Sequence, residues 1–211
     1  MMEANFEVQL HNSCVSHVLN NMAQLPSSAN AKDYCIQNAT DYFESFGWTV
    51  PQIIYPAFPQ DFSQVDLHQF LADWATGQNV SQELMNYCNN LLTDIESSST
   101  LSEFHDKSMT LIQSAEGELN SSDLQIFVNA VNVANSSLGF WFGQKNGVHT
   151  WTAGLIIPPP TPLNMAPINW WKVAGCDVVG ALGGAYYSAG NPAVTGVSAA
   201  VASACSIIMQ W

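Results

Sequence analysis

The stretch that decides the fold is Val173-Ala-Gly-Cys-Asp-Val-Val-Gly-Ala-Leu-Gly-Gly-Ala-Tyr-Tyr-Ser-Ala-Gly190, followed at once by a second helix-length stretch that ends at Trp211. Small residues recur in both stretches every four positions, a spacing that places them along one side of a helix. Asn191 as an N-cap and Pro192 at the first helical position predict the start of the second helix. We therefore predict a Gly/Ala-rich helical hairpin over residues 169–211.

A stripe of small residues on the two arms predicts the seam along which they pack. Such stripes let two helix axes approach closely, as in pairs of membrane helices. Each glycine inside a helix costs up to about 1 kcal/mol relative to alanine, and close packing must offset this penalty. The predicted seam consists of Gly180, Gly184, Ser188, Gly196, Ala200 and Ala204.

Charge is distributed unevenly along the chain. Residues 124–211 carry only Lys145, Lys172 and Asp177, whereas the first 123 residues carry sixteen acidic residues and two lysines. The net charge is −13, and the sequence contains no arginine. Nucleic-acid binding requires a basic surface, and arginine is the usual reader of bases and phosphates, so we exclude nucleic acid as a partner. Anionic membrane surfaces are disfavoured for the same electrostatic reason.

The first 140 residues show apolar side chains at helical spacing, which predicts six helices. Pro26 and Gly47 end the first two, and three prolines make residues 48–60 an extended loop. Ser63 and Asp66 are predicted to form the cap and N3 acid of the third helix. No segment alternates between apolar and polar residues as a strand does.

These elements predict an all-α protein, a helical bundle of about eight helices. We expect an acidic helical bundle over 1–140, an aromatic and proline-rich connector over 141–168 and the apolar hairpin over 169–211, packed together as one domain. A chain of 211 residues is long enough to bury a hydrophobic core.

A metal site was considered at His11, Cys14 and His17, which stand at positions i, i+3 and i+6 of the first predicted helix. All three side chains can bind zinc, with Cys35 or an acid as a fourth ligand. Their spacing matches no established ligand pattern, and Cys14 belongs to the apolar stripe of the helix. We therefore predict no metal.

Catalytic motifs are equally weak. Gly196-Val-Ser-Ala-Ala200 lacks the second glycine and the preceding strand of a nucleophile elbow. The glycine-rich stretch has no Lys-Ser/Thr to hold phosphate. We predict no catalytic residue and no cofactor, and the sequence leans away from an enzyme. Gly183-Gly184 also matches the two residues of a double-glycine processing site, which would release residues 185–211.

The cysteines and the amino terminus indicate a location. Five cysteines, widely spaced and without Cys-x-x-Cys, suit buried free thiols in a reducing compartment. The amino terminus is acidic at Glu3 and Glu7 and has no uninterrupted apolar core, so we expect no secretory signal. These features predict a cytoplasmic protein, with membrane association as the alternative.

Three segments resemble a set of uncharacterised bacterial helical proteins: His11-Asn12, Ala134-Asn-Ser-Ser-Leu-Gly-Phe-Trp141, and Asp177-Val-Val-Gly-Ala-Leu-Gly-Gly-Ala185 at the entry to the Gly/Ala-rich tail. The resemblance covers about a quarter of the chain. It implies an all-helical fold and a bacterial source, and it carries over no catalytic residue.

Two functions remain open at this point. In the first, the protein is non-catalytic, and its C-terminal hairpin mediates association with a protein partner or another copy, or conditional contact with a membrane. In the second, the hairpin is only the buried core of a soluble helical domain. Asp177 disfavours spontaneous insertion, because an acid near the centre of a bilayer costs about 2.5–3.5 kcal/mol while each valine or leucine returns only about 0.3–0.6.

Overall fold

The computed structural model of the protein describes residues 6–21, 31–47, 49, 65–145 and 169–210. All regular structure in these ranges is helical, which confirms the predicted all-α class. The predicted loop at 48–60, apart from residue 49, and the proline-rich part of the connector lie outside the described residues. The eight helices of the described ranges are α1 (Phe6–Asn20), α2 (Ala31–Glu44), α3 (Leu67–Thr76), α4 (Gln82–Ser97), α5 (Leu101–Glu118), α6 (Ser121–Lys145), α7 (Trp170–Tyr187) and α8 (Pro192–Gln210).

Side-chain caps fix where the helices begin. Asn191 accepts hydrogen bonds from the backbone N–H groups of Ala193 and Val194, at 3.0 and 3.4 Å, which confirms the predicted start of α8 at Pro192. The other side chains that cap a helix in this way are Asp66, Ser81, Thr100, Asn120 and Asn169.

Two helix ends differ from the prediction. The N-cap of α3 is Asp66 and not Ser63. The side chain of Asp66 accepts a hydrogen bond from the backbone N–H of Gln69 at 3.1 Å, and the helix begins at the next residue, Leu67. Ser63 lies outside the described residues. Helix α6 continues to Lys145, five residues into the segment predicted as connector. Between the start of α6 at Ser121 and Pro158 the sequence has no proline to stop the helix.

Helices α7 and α8 lie at the centre of the fold. Residues 173–185 of α7 and 194–207 of α8 are all buried. Helix α7 packs against α3, α4, α6 and α8, and helix α8 also contacts α1, α2 and α6. A helix that is covered on every side is apolar all round, and the two helices accordingly contain only Lys172 and Asp177 as charged residues. None of the helices in the described ranges combines the length and apolarity needed to cross a bilayer.

Two glycines lie where α7 and α8 approach each other most closely. A Cβ atom on Gly180 would stand 2.5 Å from the carbonyl oxygen of Ser198, and one on Gly184 would stand 2.7 Å from that of Val194. Such distances are too short for a real Cβ contact, so both positions require glycine. Gly183, the neighbour of Gly184, has no atom within 4 Å of its Cβ position.

The remaining residues of the predicted seam differ in their positions. Gly196, Ala200 and Ala204 are buried in α8. Ser188 is instead the C-cap of α7, and its hydroxyl donates to the carbonyl oxygen of Gly184 at 2.6 Å.

Candidate functional site

A single carboxylate lies in the middle of the buried α7–α8 pair. Asp177 is 0% exposed and accepts hydrogen bonds from three side chains on three other helices. Nε2 of His11 on α1 lies 2.9 Å from Oδ1 of Asp177. The hydroxyl of Ser137 on α6 donates to Oδ2, and that of Ser203 on α8 donates to Oδ1. One buried acid therefore connects α1, α6, α7 and α8; we call this cluster of four side chains the His11–Asp177 centre.

The histidine of the centre is held at both ring nitrogens. Its second nitrogen, Nδ1, lies 2.8 Å from Oδ1 of Asn12, and the amide nitrogen of Asn12 donates in turn to Oγ of Ser136 at 3.1 Å. Both nitrogens thus face oxygen acceptors, an arrangement that suits the doubly protonated imidazolium. Burial opposes the charge, but the charge of Asp177 and the hydrogen bonds to Asp177 and Asn12 outweigh it and raise the pKa of His11.

A buried ion pair contributes little net stability when it forms, but the loss of one partner destabilises the protein strongly. Taking two charges out of water is costly, and their attraction repays this cost only when the remaining donors and acceptors are also satisfied. Here two hydroxyls and one amide complete the hydrogen bonding of His11 and Asp177. Removing one partner would leave a buried charge without compensation, so the centre fixes α1 and α6 against the α7–α8 pair.

The centre contains serine, histidine and aspartate, but their geometry is not that of a catalytic triad. In a triad the carboxylate holds one ring nitrogen and the nucleophile faces the other. Here Asp177 and Ser203 both face Nε2 of His11, and the Ser203 hydroxyl, 3.4 Å from that nitrogen, donates to the carboxylate. All three side chains are fully buried. The arrangement therefore offers no activated nucleophile and no access for a substrate.

The candidate metal ligands of α1 do not come together. His11 is engaged by Asp177, whereas Nε2 of His17 accepts a hydrogen bond from the amide of Asn21 at 3.1 Å. Cys14 is fully buried, and this burial raises the pKa of its thiol. In the part of the chain that the structure describes, no three His, Cys, Asp or Glu side chains are placed to hold a metal ion.

The cysteines line the core around the α7–α8 pair. All five are free and buried, as the sequence predicts. Cys35 on α2 is in hydrogen-bonding contact with Cys205 on α8 and lies near Cys14 on α1. Helix α8 packs against α1 and α2, which carry Cys14 and Cys35, while Cys88 is buried on α4.

A cavity of about 450 Å³ opens between α3, α4 and the start of α7. Its wall includes Leu67, His68, Leu92, Glu96 and Lys172. The ring of His68 lies 3.4 Å from the Glu96 carboxylate. The volume lies within the range of small-molecule sites, but no residue predicted for a site lies in its wall.

Sequence reasoning treated the members of the centre separately. It considered His11 as a metal ligand and Asp177 as an obstacle to membrane insertion, and it assigned no role to Ser137 or Ser203. An acid in the middle of an apolar helix was the available signal, because a buried charge needs a partner. The segments 11–12, 134–141 and 177–185 all contribute side chains to the centre or its hydrogen bonds.

Comparison of the chain with protein-family models, with curated proteins and with solved structures finds no match. The fold and the centre together define an all-helical protein with a buried, ion-paired apolar core.

Proposed function

We propose that this is a non-catalytic helical protein whose working element is the α7–α8 pair. In the structure described above the pair is buried in the core. When the pair leaves the core, it associates with a membrane, a protein partner or a second copy of the chain. The observation that carries the proposal is the His11–Asp177 contact of 2.9 Å, which links the pair to the surrounding helices through its one acidic residue.

The charge distribution supports storage followed by release. Residues 178–211 contain no charged side chain. The chain after Asp177 can therefore leave the core without moving any charged side chain into or out of water. Gly180 and Gly184 let the backbones of α7 and α8 touch, so the two helices can move as one unit. The net charge of −13 keeps the rest of the protein solvated while the pair is displaced.

The alternative is that the α7–α8 pair is a permanent core. Its depth of burial favours this second function: Val173 and Cys176 on α7, like Val197 and Val201 on α8, are 0% exposed. A protein of this kind would bind its partners elsewhere, and the cavity beside Lys172 is available for that purpose.

Thiol labelling with and without neutral phosphatidylcholine vesicles tests the proposal. Release would remove α8 from α1 and α2, so Cys14 and Cys35 should become reactive when the protein is bound. Ala115→Cys serves as the buried control and should stay protected, because α5 packs mainly against α4 and α6 and not against the α7–α8 pair. The same labelling at increasing protein concentration tests self-association.

The outcomes separate the two functions. Selective labelling of Cys14 and Cys35 with vesicles, or with rising protein concentration, would support release. Labelling of Ala115→Cys at the same rate as Cys14 and Cys35 would indicate global unfolding and would contradict it. Protection of all five under every condition would show that the pair is permanent core.

A further inference from the structure

Three aromatic rings meet beside the turn that joins α7 to α8. The rings of Tyr186 and Tyr187, at the end of α7, lie 5.8 Å apart in an edge-to-face arrangement. Trp74, near the end of α3, contacts both, at centroid distances of 5.5 and 6.5 Å. All three residues pack against the core and are partly buried, so a part of each remains accessible to solvent. We call these three residues the turn cluster.

The turn holds the cluster in a fixed position. Ala189 and Gly190 adopt positive φ angles of 52° and 83°, and the N–H of Gly190 donates to the carbonyl oxygen of Ala185 at 2.7 Å. The amide of Asn129 on α6 then binds the Gly190 carbonyl at 3.1 Å. A surface that is already ordered loses little conformational entropy on binding.

The chemistry of the cluster suits the interface of a bilayer. Tryptophan and tyrosine combine an apolar ring with a polar N–H or O–H, and they concentrate at the headgroup level of membranes. The turn from Ser188 to Asn191 carries no charge in a protein whose net charge is −13. An acidic residue, Asp73, precedes Trp74 in the sequence, and its carboxylate accepts a hydrogen bond from the side-chain amide of Gln69 at 2.7 Å. The acidic remainder of the protein is repelled by anionic lipids, so the uncharged turn fits a neutral surface.

We infer that the turn cluster is the surface through which this protein first contacts a membrane of neutral, zwitterionic lipids. The inference rests on the proposed function and adds the lipid class and the contact residues. The aromatic rings enter the headgroup region at the closed end of the α7–α8 pair, before the pair leaves the core.

A fluorescent probe on the turn tests this contact without altering the cluster. Ala189 is exposed and the native cysteines are all buried, so Ala189→Cys can be labelled selectively with a polarity-sensitive fluorophore. Its emission should shift to the blue on addition of phosphatidylcholine vesicles. Ser114→Cys, exposed on α5, is the matched control and should not respond. A shift at both positions, or at neither, would overturn the inference.

Vesicle partitioning of the full-length protein identifies the residues. Tyr186→Ser/Tyr187→Ser should weaken partitioning by about tenfold or more, because two aromatic side chains no longer reach the interface. Phe46→Ser is the control, since Phe46 is 56% exposed and lies in the turn that follows α2. Equal loss in both variants would show non-specific hydrophobic adsorption and contradict the inference.

The possible failures are distinguishable. If wild-type protein binds neutral vesicles and exposes Cys14 and Cys35 while the tyrosine variant binds equally well, the turn cluster is not the contact and the proposed function stands. Stronger binding when phosphatidylglycerol is added would contradict the choice of neutral lipid. If the tyrosine variant abolishes self-association while no vesicles are bound, the cluster is a protein interface.

Discussion

Nε2 of His11 lies 2.9 Å from Oδ1 of Asp177, and both side chains are completely buried. The two residues are 166 positions apart, so this contact joins the first helix of the fold to the seventh. Ser137 and Ser203 bring α6 and α8 to the same carboxylate. The contact therefore defines how four helices are placed relative to one another.

Replacing one member of the pair should destabilise the protein strongly. His11→Ala leaves the Asp177 carboxylate buried without its counter-charge, which typically costs about 3–5 kcal/mol. Chemical denaturation measures the change in the free energy of unfolding. Glu103→Gln is the control, because it breaks the Glu103–Lys107 contact of 2.9 Å at the surface, where ion pairs contribute little.

A double replacement shows whether the charge or the shape of the pair matters. His11→Gln/Asp177→Asn removes both charges and keeps groups that can donate and accept hydrogen bonds. This variant should be more stable than His11→Ala and should recover most of the lost stability. A double variant as unstable as His11→Ala would show that the geometry of the ring, and not charge compensation, holds the four helices.

Stability should decrease as the pH rises from neutrality. The pKa of His11 is raised above its ordinary value of 6.5, so between 6.5 and the folded-state pKa the folded protein holds a proton that the unfolded chain has lost. The stabilisation from the pair is therefore complete below 6.5 and is lost as the pH passes through the folded-state pKa. Urea denaturation at several pH values measures this slope.

The comparison that isolates His11 uses two variants. His11→Gln should remove the slope, and His105→Gln, at an exposed position on α5, should leave it unchanged. Burial raises the thiol pKa values of Cys14 and Cys88, so ionisation of the unfolded thiols also lowers stability at higher pH. A slope that persists in His11→Gln below the pH range in which the unfolded thiols ionise would contradict the assignment.

The sequence predicted the helices because their signals are local. The cap at Asn191 and the stop at Gly47, which has a φ of +79°, depend on neighbouring residues only. The aromatic composition from Trp141 onward predicts too early an end for α6, because no proline lies there and the helix runs through Gly143 to Lys145.

The His11–Asp177 centre could not be predicted in the same way. Its members lie on four helices, and the spacing within one helix contains no information about which helices become neighbours. The local pattern grouped His11 with Cys14 and His17, since all three share a broad face of α1. The packing of α1 against α6 and α8, which both flank α7, decides instead that the partner of His11 is Asp177.

The thiols of the α7–α8 pair should react slowly in the resting protein. Cys176 and Cys205 are 0% exposed, and burial raises the pKa of Cys176 to about 12, so little reactive thiolate forms. Alkylation followed by peptide mass spectrometry should show slow labelling of both in buffer and fast labelling in denaturant. Ser114→Cys provides an exposed reference thiol. Fast labelling of Cys176 or Cys205 in buffer would show that the pair is already displayed.

Substitutions at the glycines of α7 should have opposite effects at adjacent positions. Alanine gains up to about 1 kcal/mol over glycine in helix propensity. At Gly184 the added methyl group would meet the Val194 carbonyl oxygen at 2.7 Å, so Gly184→Ala should be less stable than wild type and Gly184→Leu less stable still. At Gly183 nothing lies within 4 Å of the Cβ position, so Gly183→Ala should be more stable. Chemical denaturation of the three variants measures the order. If Gly184→Ala proved as stabilising as Gly183→Ala, α7 and α8 would not be in backbone contact, and the pair could not move as the single unit that the proposed release requires.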